Sequence, residues 1–248
     1  MNIHLTCTSD NNLILPIHHN HILQAFIYNL IDEKLATFLH DVGFMVEKRT
    51  FRLFVFSRLQ GNYRINQENQ TIDFGNEYHL SIASPLEPFC ISLCAKVMFK
   101  DGFFLGDTVL RNMEFEVGEP FEIRGTSVVV YTKSPMTAYS TLLRPNGAKY
   151  TAYFQPGEAD FNRIASENLR KKYESIFREP APQGDVLIQP LSQQKLNIIK
   201  FKDFIIKGYS GKYRLSGPSQ LLQMALDAGI GSKNSQGFGY IELLKRRQ

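Results

Sequence analysis

The stretch that decides the fold lies near the C-terminus and reads Gly229-Ile230-Gly231-Ser232-Lys233-Asn234-Ser235-Gln236-Gly237-Phe238-Gly239. An amphipathic run, 219–228, leads into this glycine-rich loop (229–239), and an apolar run, 240–244, follows it. The pattern predicts a turn between a helix and a strand whose backbone comes very close to something, because glycine carries no Cβ. Exposed N–H groups beside Lys233 favour an anion such as phosphate. The alternative is an ordinary glycine-rich turn.

Composition and charge narrow the class of protein. The length of 248 residues allows one large domain or two domains of ordinary size. The hydrophobic fraction of 43% is enough to form their cores. Residues 195–248 hold ten Lys/Arg and three Asp/Glu, a net +7, whereas the rest of the chain carries −3. Such a localised basic region is typical of nucleic-acid binding, although a solvated lysine-rich surface would look the same. Three cysteines without a Cys-x-x-Cys motif, no signal peptide and no apolar run of membrane-spanning length predict a cytoplasmic protein without membrane contact.

The order of elements predicts an α+β fold. Two units of the type βαββαβ fit the chain, with the best boundary at 118–120. We expect two tandem ferredoxin-like (RRM-like) domains, 1–117 and 121–248. The expected strands and helices are a strand at 1–9, a helix within 22–39 broken near Asp32, strands at 51–57 and 78–83, a helix at 86–98, a strand at 103–115, strands at 121–132 and 150–154, a helix at 159–177, strands at 186–191, 198–206 and 212–215, a helix at 219–228 and a last strand. Residues 134–148 are expected to form a long loop.

Tyr28 and His40 are the candidate catalytic pair. In one unbroken helix their separation of 12 residues would place them about 120° apart, so they converge only if the helix breaks near Asp32 or if His40 lies on the following turn. A histidine, a tyrosine and a cation suit metal-free attack of a ribose 2′-OH on the neighbouring phosphate. The alternative is a histidine that caps a helix or is partly buried. The candidate cations come shortly after His40 in the chain and are Lys48, Arg49 and Arg52.

Other motifs argue against metals and nucleotide cofactors. The run 18–21 holds three histidines, but no acidic or cysteine partner stands at a ligand spacing, and we expect Asn20 to cap a helix there. The glycine-rich loop matches neither a Walker A motif nor a dinucleotide fingerprint. No metal and no cofactor are therefore expected. RNA fits better, with Tyr209 and Tyr213 placed to stack on bases unless that strand merely has an exposed face. The candidate RNA-binding residues are Gly229, Gly231, Lys233, Asn234, Gly237, Gly239, Lys212 and Arg214.

Three stretches resemble a known family. These are the glycine-rich loop with its Gly-Phe-Gly ending, the segment 16–40 with its Tyr and Leu-His residues, and Leu53-Phe54-Val55-Phe56-Ser57. They are similar to the CRISPR-associated repeat-processing endoribonucleases of the RAMP superfamily (Cas-six type). The resemblance implies tandem ferredoxin-like domains and metal-independent cleavage of CRISPR repeat RNA, which leaves 2′,3′-cyclic phosphate and 5′-OH ends.

The same resemblance implies roles for individual residues. His40 is expected to be the general acid/base, with Tyr28 as its catalytic partner. The family's third residue is a lysine just before the 53–57 strand, where this chain aligns Arg52 and where Lys48 is the nearest lysine. Expected partners are repeat RNA and other CRISPR effector subunits, with the chain as a monomer or homodimer. The alternatives are a non-catalytic RNA-binding RAMP subunit and, ranked lower, a nucleotide-using metabolic enzyme.

Overall fold

The structure is a computed structural model that describes residues 1–100 and 102–244. Its N-terminal half contains β1 (Asn2–Thr8), β2 (Ile14–Pro16), α1 (Asn20–Asn29), α2 (Glu33–Thr37), a π-helical turn (Phe38–Val42), β3 (Phe44–Val46), β4 (Arg49–Phe51), β5 (Val55–Phe56), β6 (Gln60–Gly61), β7 (Arg64–Asn66), β8 (Thr71–Asp73), β9 (Glu77–Ala83), α3 (Glu87–Phe99), β10 (Phe104–Leu105), β11 (Thr108–Val109) and β12 (Asn112–Val117).

The C-terminal half repeats this plan with additional hairpins. It contains β13 (Ser127–Thr132), β14 (Ala138–Leu143), β15 (Lys149–Phe154), α4 (Ala159–Phe177), β16 (Leu187–Pro190), β17 (Lys195–Phe201), β18 (Phe204–Ser210), β19 (Lys212–Ser216), α5 (Ser219–Ala228), a 3₁₀ turn (Asn234–Gln236) and β20 (Ile241–Leu243). Three of the cations counted between 195 and 248, namely Lys245, Arg246 and Arg247, lie outside the described residues.

The main sheet of the N-terminal half has the strand order β12-β1-β9-β5, and neighbouring strands are antiparallel. Since α1 and α3 form the two crossovers, the chain order is βαββαβ, which is the ferredoxin-like arrangement. Burial alternates along β1, so that Ile3, Leu5 and Cys7 face the helices. Their partners on α1 and α3 include Phe26 and Phe89, in a single apolar core.

The main sheet of the C-terminal half has the order β16-β19-β13-β20, again antiparallel, with α4 and α5 as crossovers. Its core brings Val130, Tyr213 and Leu215 from the sheet against Phe161 and Leu222 from the helices. The predicted pair of ferredoxin-like folds is therefore confirmed. The division of the chain at 117 and 121 stays a prediction, and the first strand after it begins only at Ser127.

Several predicted elements were wrong. Residues 134–148 are not one long loop, because 138–143 pair with 149–154 as a hairpin that turns at Pro145-Asn146. The expected strand 198–206 is the tip of a second hairpin, where Lys202 has a φ of 53° and reverses the chain. The expected strand 103–115 is a short hairpin followed by β12. Alternating apolar residues occur along both strands of a hairpin and along one long strand. The sequence pattern alone therefore does not distinguish a hairpin from one long strand.

The predicted helix break near Asp32 is confirmed. The Asp32 carboxylate accepts hydrogen bonds from the backbone N–H groups of Lys34 (3.0 Å) and Leu35 (3.2 Å), and it therefore starts a new helix, α2. The capping role expected for Asn20 was wrong, because His19 occupies the cap position without a side-chain bond. Within the described residues, no helix is long and apolar enough to cross a membrane.

Candidate active-site cleft

A cleft of about 670 Å³ lies where the two halves of the chain meet. One wall comes from α1, the π-helical turn and the segment 49–54 of the N-terminal half. The opposite wall comes from α4, the glycine-rich loop and the turn of the β17–β18 hairpin. Polar and cationic side chains from both halves face it, among them Tyr28, His40, Arg52, Lys202, Lys233 and Asn234.

The structure brings Tyr28 and His40 together. Their ring centroids are 5.6 Å apart, and the rings are nearly perpendicular at 77°. The break at Asp32 and the π-helical turn reorient the chain between them, so the 120° separation of a continuous helix does not apply. The His40 side chain is 71% exposed, and its Nδ1 lies 2.6 Å from the Asp41 carboxylate. The Nε2 atom of the ring is thus the nitrogen left for a ligand.

Of the candidate cations, Arg52 lies nearest to this pair. Its guanidinium donates to the backbone carbonyl of His40 at 2.8 Å. Burial raises the pKa of the Tyr28 hydroxyl, and the positive charge of Arg52 opposes this shift only in part. Tyr28 therefore keeps its proton at neutral pH.

The other two cations differ in position. Arg49 lines the cleft and donates to the side-chain oxygen of Asn168 on α4. Lys48 belongs to the turn between β3 and β4, and of the residues that the structure describes, those lining the cleft include Arg49 and Arg52 but not Lys48. The choice of a third catalytic residue stays a prediction, now with Arg52 in the best position.

The glycine-rich loop comes very close to other parts of this chain. Gly229, Gly231, Gly237 and Gly239 are all buried. A Cβ at Gly231 would collide with the backbone oxygen of Thr137, and one at Gly239 would collide with the oxygen of Ile230. The close approach inferred from the sequence is thus a contact within the protein. An RNA-binding role for these glycines stays a prediction.

The loop also makes contacts with the N-terminal half. The Asn20 amide donates to the carbonyls of Gln236 (2.8 Å) and Gly237 (3.4 Å), and the Gln24 amide donates to that of Ser235 (2.7 Å). Asn20 is the first residue of α1, and its side chain makes this contact instead of capping the helix. The wall that faces Tyr28 is therefore fixed to the same helix that carries Tyr28.

The predicted RNA-binding cations fall into two groups. Lys233 lines the cleft with its Nζ 5.4 Å from the centre of the Tyr139 ring, and burial lowers the pKa of its ammonium. Lys212 and Arg214 lie on the exposed face of β19, where the burial pattern alternates. Tyr213 between them is buried and binds Gln194, so its expected role in stacking on bases was wrong.

The sequence interpretation missed Asn168 and Lys172 on α4. Both are buried at the cleft, with exposures of 4% and 2%. The pattern that could have revealed them is the apolar stripe of this helix, since residues 161, 165, 168 and 172 recur at helical spacing on one face. A lysine on that stripe must be buried, and it needs hydrogen-bond acceptors inside the protein.

The histidine run 18–21 is engaged in separate contacts. The Nδ1 atom of His19 lies 3.0 Å from the Pro16 carbonyl, and the ring of His21 packs edge-on against Phe201. Within residues 1–100 and 102–244, no group of three or more His, Cys, Asp or Glu side chains is arranged to hold a metal ion.

Comparisons with known proteins place the chain among CRISPR-associated proteins. The family described as CRISPR associated protein Cas6, C-terminal, matches residues 117–243. CRISPR-associated endoribonuclease Cas6 1 of Methanocaldococcus jannaschii is 24% identical over 97% of this chain and 92% of its own. CRISPR-associated endoribonuclease Cas6 of Pyrococcus furiosus is 26% identical over 94% of this chain and 85% of its own.

Solved structures show the same fold over the whole chain. A structure described as CRISPR associated protein Cas6 has a TM-score of 0.76 at 23% identity, with 99% of each chain covered. A second, described as "An RAMP protein binding different RNA substrates", has a TM-score of 0.78 at 20% identity and covers 99% of this chain and 100% of its own. At these identities the likeness concerns the fold.

Proposed function

Because the chain belongs to the CRISPR-associated Cas6 family, we propose that it is an endoribonuclease that cleaves CRISPR repeat RNA within precursor transcripts. The observation that supports this most directly is the contact between Tyr28 and His40, whose ring centroids are 5.6 Å apart. They lie at the rim of a cleft whose far wall carries Lys202 and Lys233. Relatives named as endoribonucleases match nearly the full length of the chain.

The reaction is attack by a ribose 2′-OH on the adjacent phosphorus. The 2′-oxygen forms a bond to phosphorus as its proton passes to a base, and the bond from phosphorus to the 5′-oxygen breaks as that oxygen takes up a proton. The products are a 2′,3′-cyclic phosphate and a 5′-OH. These steps need no metal ion, because protein groups carry both protons and stabilise the developing charge.

Each group at the cleft suits one part of this reaction. His40 transfers a proton through Nε2, while Asp41 holds Nδ1. Tyr28 keeps its proton because burial raises its pKa, so it acts as a hydrogen-bond donor to the reacting phosphate. Arg52 contributes the positive charge beside His40. Lys233 holds the RNA backbone within the cleft, and Lys212 and Arg214 bind flanking phosphates on the outer face of β19.

A cleavage assay tests this proposal. Labelled repeat RNA should be cut at one position, with equal rates in buffer and in excess EDTA. A 2′-deoxy nucleotide immediately 5′ of the scissile phosphate should block the reaction, because it removes the nucleophile. Cleavage of that deoxy substrate, or loss of activity on chelation, would contradict the mechanism. Binding without any cleavage would instead favour the non-catalytic RNA-binding subunit.

A further inference from the structure

Lys172 is a buried cation directly beneath the glycine-rich loop. It lies on α4, its residue is 2% exposed, and its ammonium donates to the carbonyls of Ala228 (3.0 Å) and Gly229 (2.6 Å) and to the side-chain oxygen of Asn234 (2.7 Å). An ammonium has three donors, and all three are used here. The three hydrogen bonds thus fix the position of the side chain and also the positions of its three acceptors.

The surroundings of Lys172 explain how a charge can be buried there. Ala228 ends α5 and Gly229 follows it, so their carbonyls lack helical partners and lie at the negative end of the helix dipole. Among the described residues, no carboxylate forms an ion pair with Lys172. Burying an ammonium costs hydration free energy, whereas burying an apolar side chain of similar length carries no such cost. Packing alone therefore does not require a lysine at this position.

Asn234 transmits this contact through the loop. Its amide nitrogen donates to the carbonyls of Ile230 (3.1 Å) and Phe238 (2.9 Å), so it ties the two arms of the loop together. Lys172 holds the oxygen of the same amide. One helical turn earlier, the amide of Asn168 donates to the hydroxyl of Ser232 (3.3 Å). Helix α4 therefore fixes the loop at two consecutive turns.

We propose that Lys172 is a positioning residue for RNA cleavage, which through Asn234 sets the place of the cleft wall opposite Tyr28 and His40. This inference rests on the proposed function. The loop residues 232–236 line the cleft, so a shift of the loop moves the RNA relative to His40. Displacing reacting groups by about 1 Å can cost on the order of 100-fold in rate. All three donors of Lys172 are used by the loop and the end of α5, so its effect falls on geometry.

The test is Lys172→Met, which keeps most of the length of the side chain and removes its charge and donors. We expect the single-turnover rate at saturating RNA to fall roughly 10- to 100-fold, with a smaller loss of RNA affinity. Arg170→Met is the matched control, because Arg170 lies on the same helix and donates to the carbonyl of Gly184, away from the loop. It should keep the wild-type rate. A Lys172→Met protein that melts earlier but cleaves at the wild-type saturating rate would overturn the proposal.

Asn234→Ala provides an independent variant at the loop end of the same contact. It should lower the saturating rate as well, even where Lys172→Met fails to fold, and a wild-type rate would overturn the proposal. The double variant should lose no more than the larger single loss, since both changes break one link. Multiplicative losses would show that the residues act separately. If the wild-type chain cleaves no repeat RNA, the proposed function is refuted and the positioning role with it.

Discussion

Replacing Gly231 with alanine tests whether the glycine-rich loop is shaped by the protein or by its ligand. The backbone φ of Gly231 is +73°, in the left-handed region, and a Cβ there would collide with the carbonyl oxygen of Thr137. That carbonyl cannot move away freely, because it accepts a hydrogen bond of 2.8 Å from the N–H of Ser232. We therefore expect Gly231→Ala to destabilise the protein in the absence of RNA.

Gly147→Ala separates the cost of a left-handed backbone from the cost of a collision with a neighbouring atom. Gly147 has a similar φ of +78°, but no atom lies within 4 Å of the position that its Cβ would take. Both variants incur the cost of a left-handed alanine, about 1–2 kcal/mol. Gly231→Ala adds the cost of overpacking, about 1–3 kcal/mol. For a chain of this size each kcal/mol lowers Tm by roughly 2–4 °C, so Gly231→Ala should melt about 2–12 °C below Gly147→Ala.

Scanning calorimetry of the RNA-free proteins measures this difference, and a filter-binding assay with repeat RNA accompanies it. The reasoning is refuted if the two variants melt together while only Gly231→Ala loses RNA affinity. Glycine would then be required by the approach of RNA and not by Thr137.

Three further outcomes follow from the same contacts. His40→Ala should slow cleavage about 10²–10⁴-fold with RNA binding retained, whereas His79→Ala, outside the cleft, should cleave normally; equal rates would remove His40 from the mechanism. Asp32→Ala should cost about 1 kcal/mol in urea denaturation, since it removes the cap of α2, and an unchanged midpoint would contradict that role. Burial lowers the pKa of Lys172 to about 7, so above this pH the folded state loses a proton that the unfolded state keeps. Wild type should therefore gain stability relative to Lys172→Met between pH 7 and about 10, and a constant difference would show that Lys172 keeps its proton.

Local sequence rules predicted the parts of the site that depend on local structure. The break at Asp32 follows from a capping aspartate, and with it the meeting of Tyr28 and His40 within one 13-residue segment becomes possible. The two ferredoxin-like folds follow from the order of elements, because each strand and helix shows its own periodicity. These features require no knowledge of distant contacts.

The contacts of the glycine-rich loop could not be predicted in this way. Gly231 meets Thr137, and Gly237 would bring a Cβ within 2.7 Å of the Asn20 amide, more than 200 residues earlier in the chain. A glycine pattern shows that the backbone is approached closely, but it does not show by what. The sequence interpretation assigned this approach to phosphate, and the structure assigns it to the chain itself.

These contacts fix the position of the glycine-rich loop in the cleft. Asn20 and Gln24 hold it from α1, the helix that carries Tyr28, while Lys172 holds it from α4. The loop is thus attached to both halves of the protein, and the distance between the two cleft walls is set by hydrogen bonds already present before RNA binds. A cleft organised in advance does not have to reorganise during the reaction, which is the condition under which fixed dipoles and charges stabilise a transition state most effectively. The glycines therefore permit this attachment, whether or not any of them touches RNA.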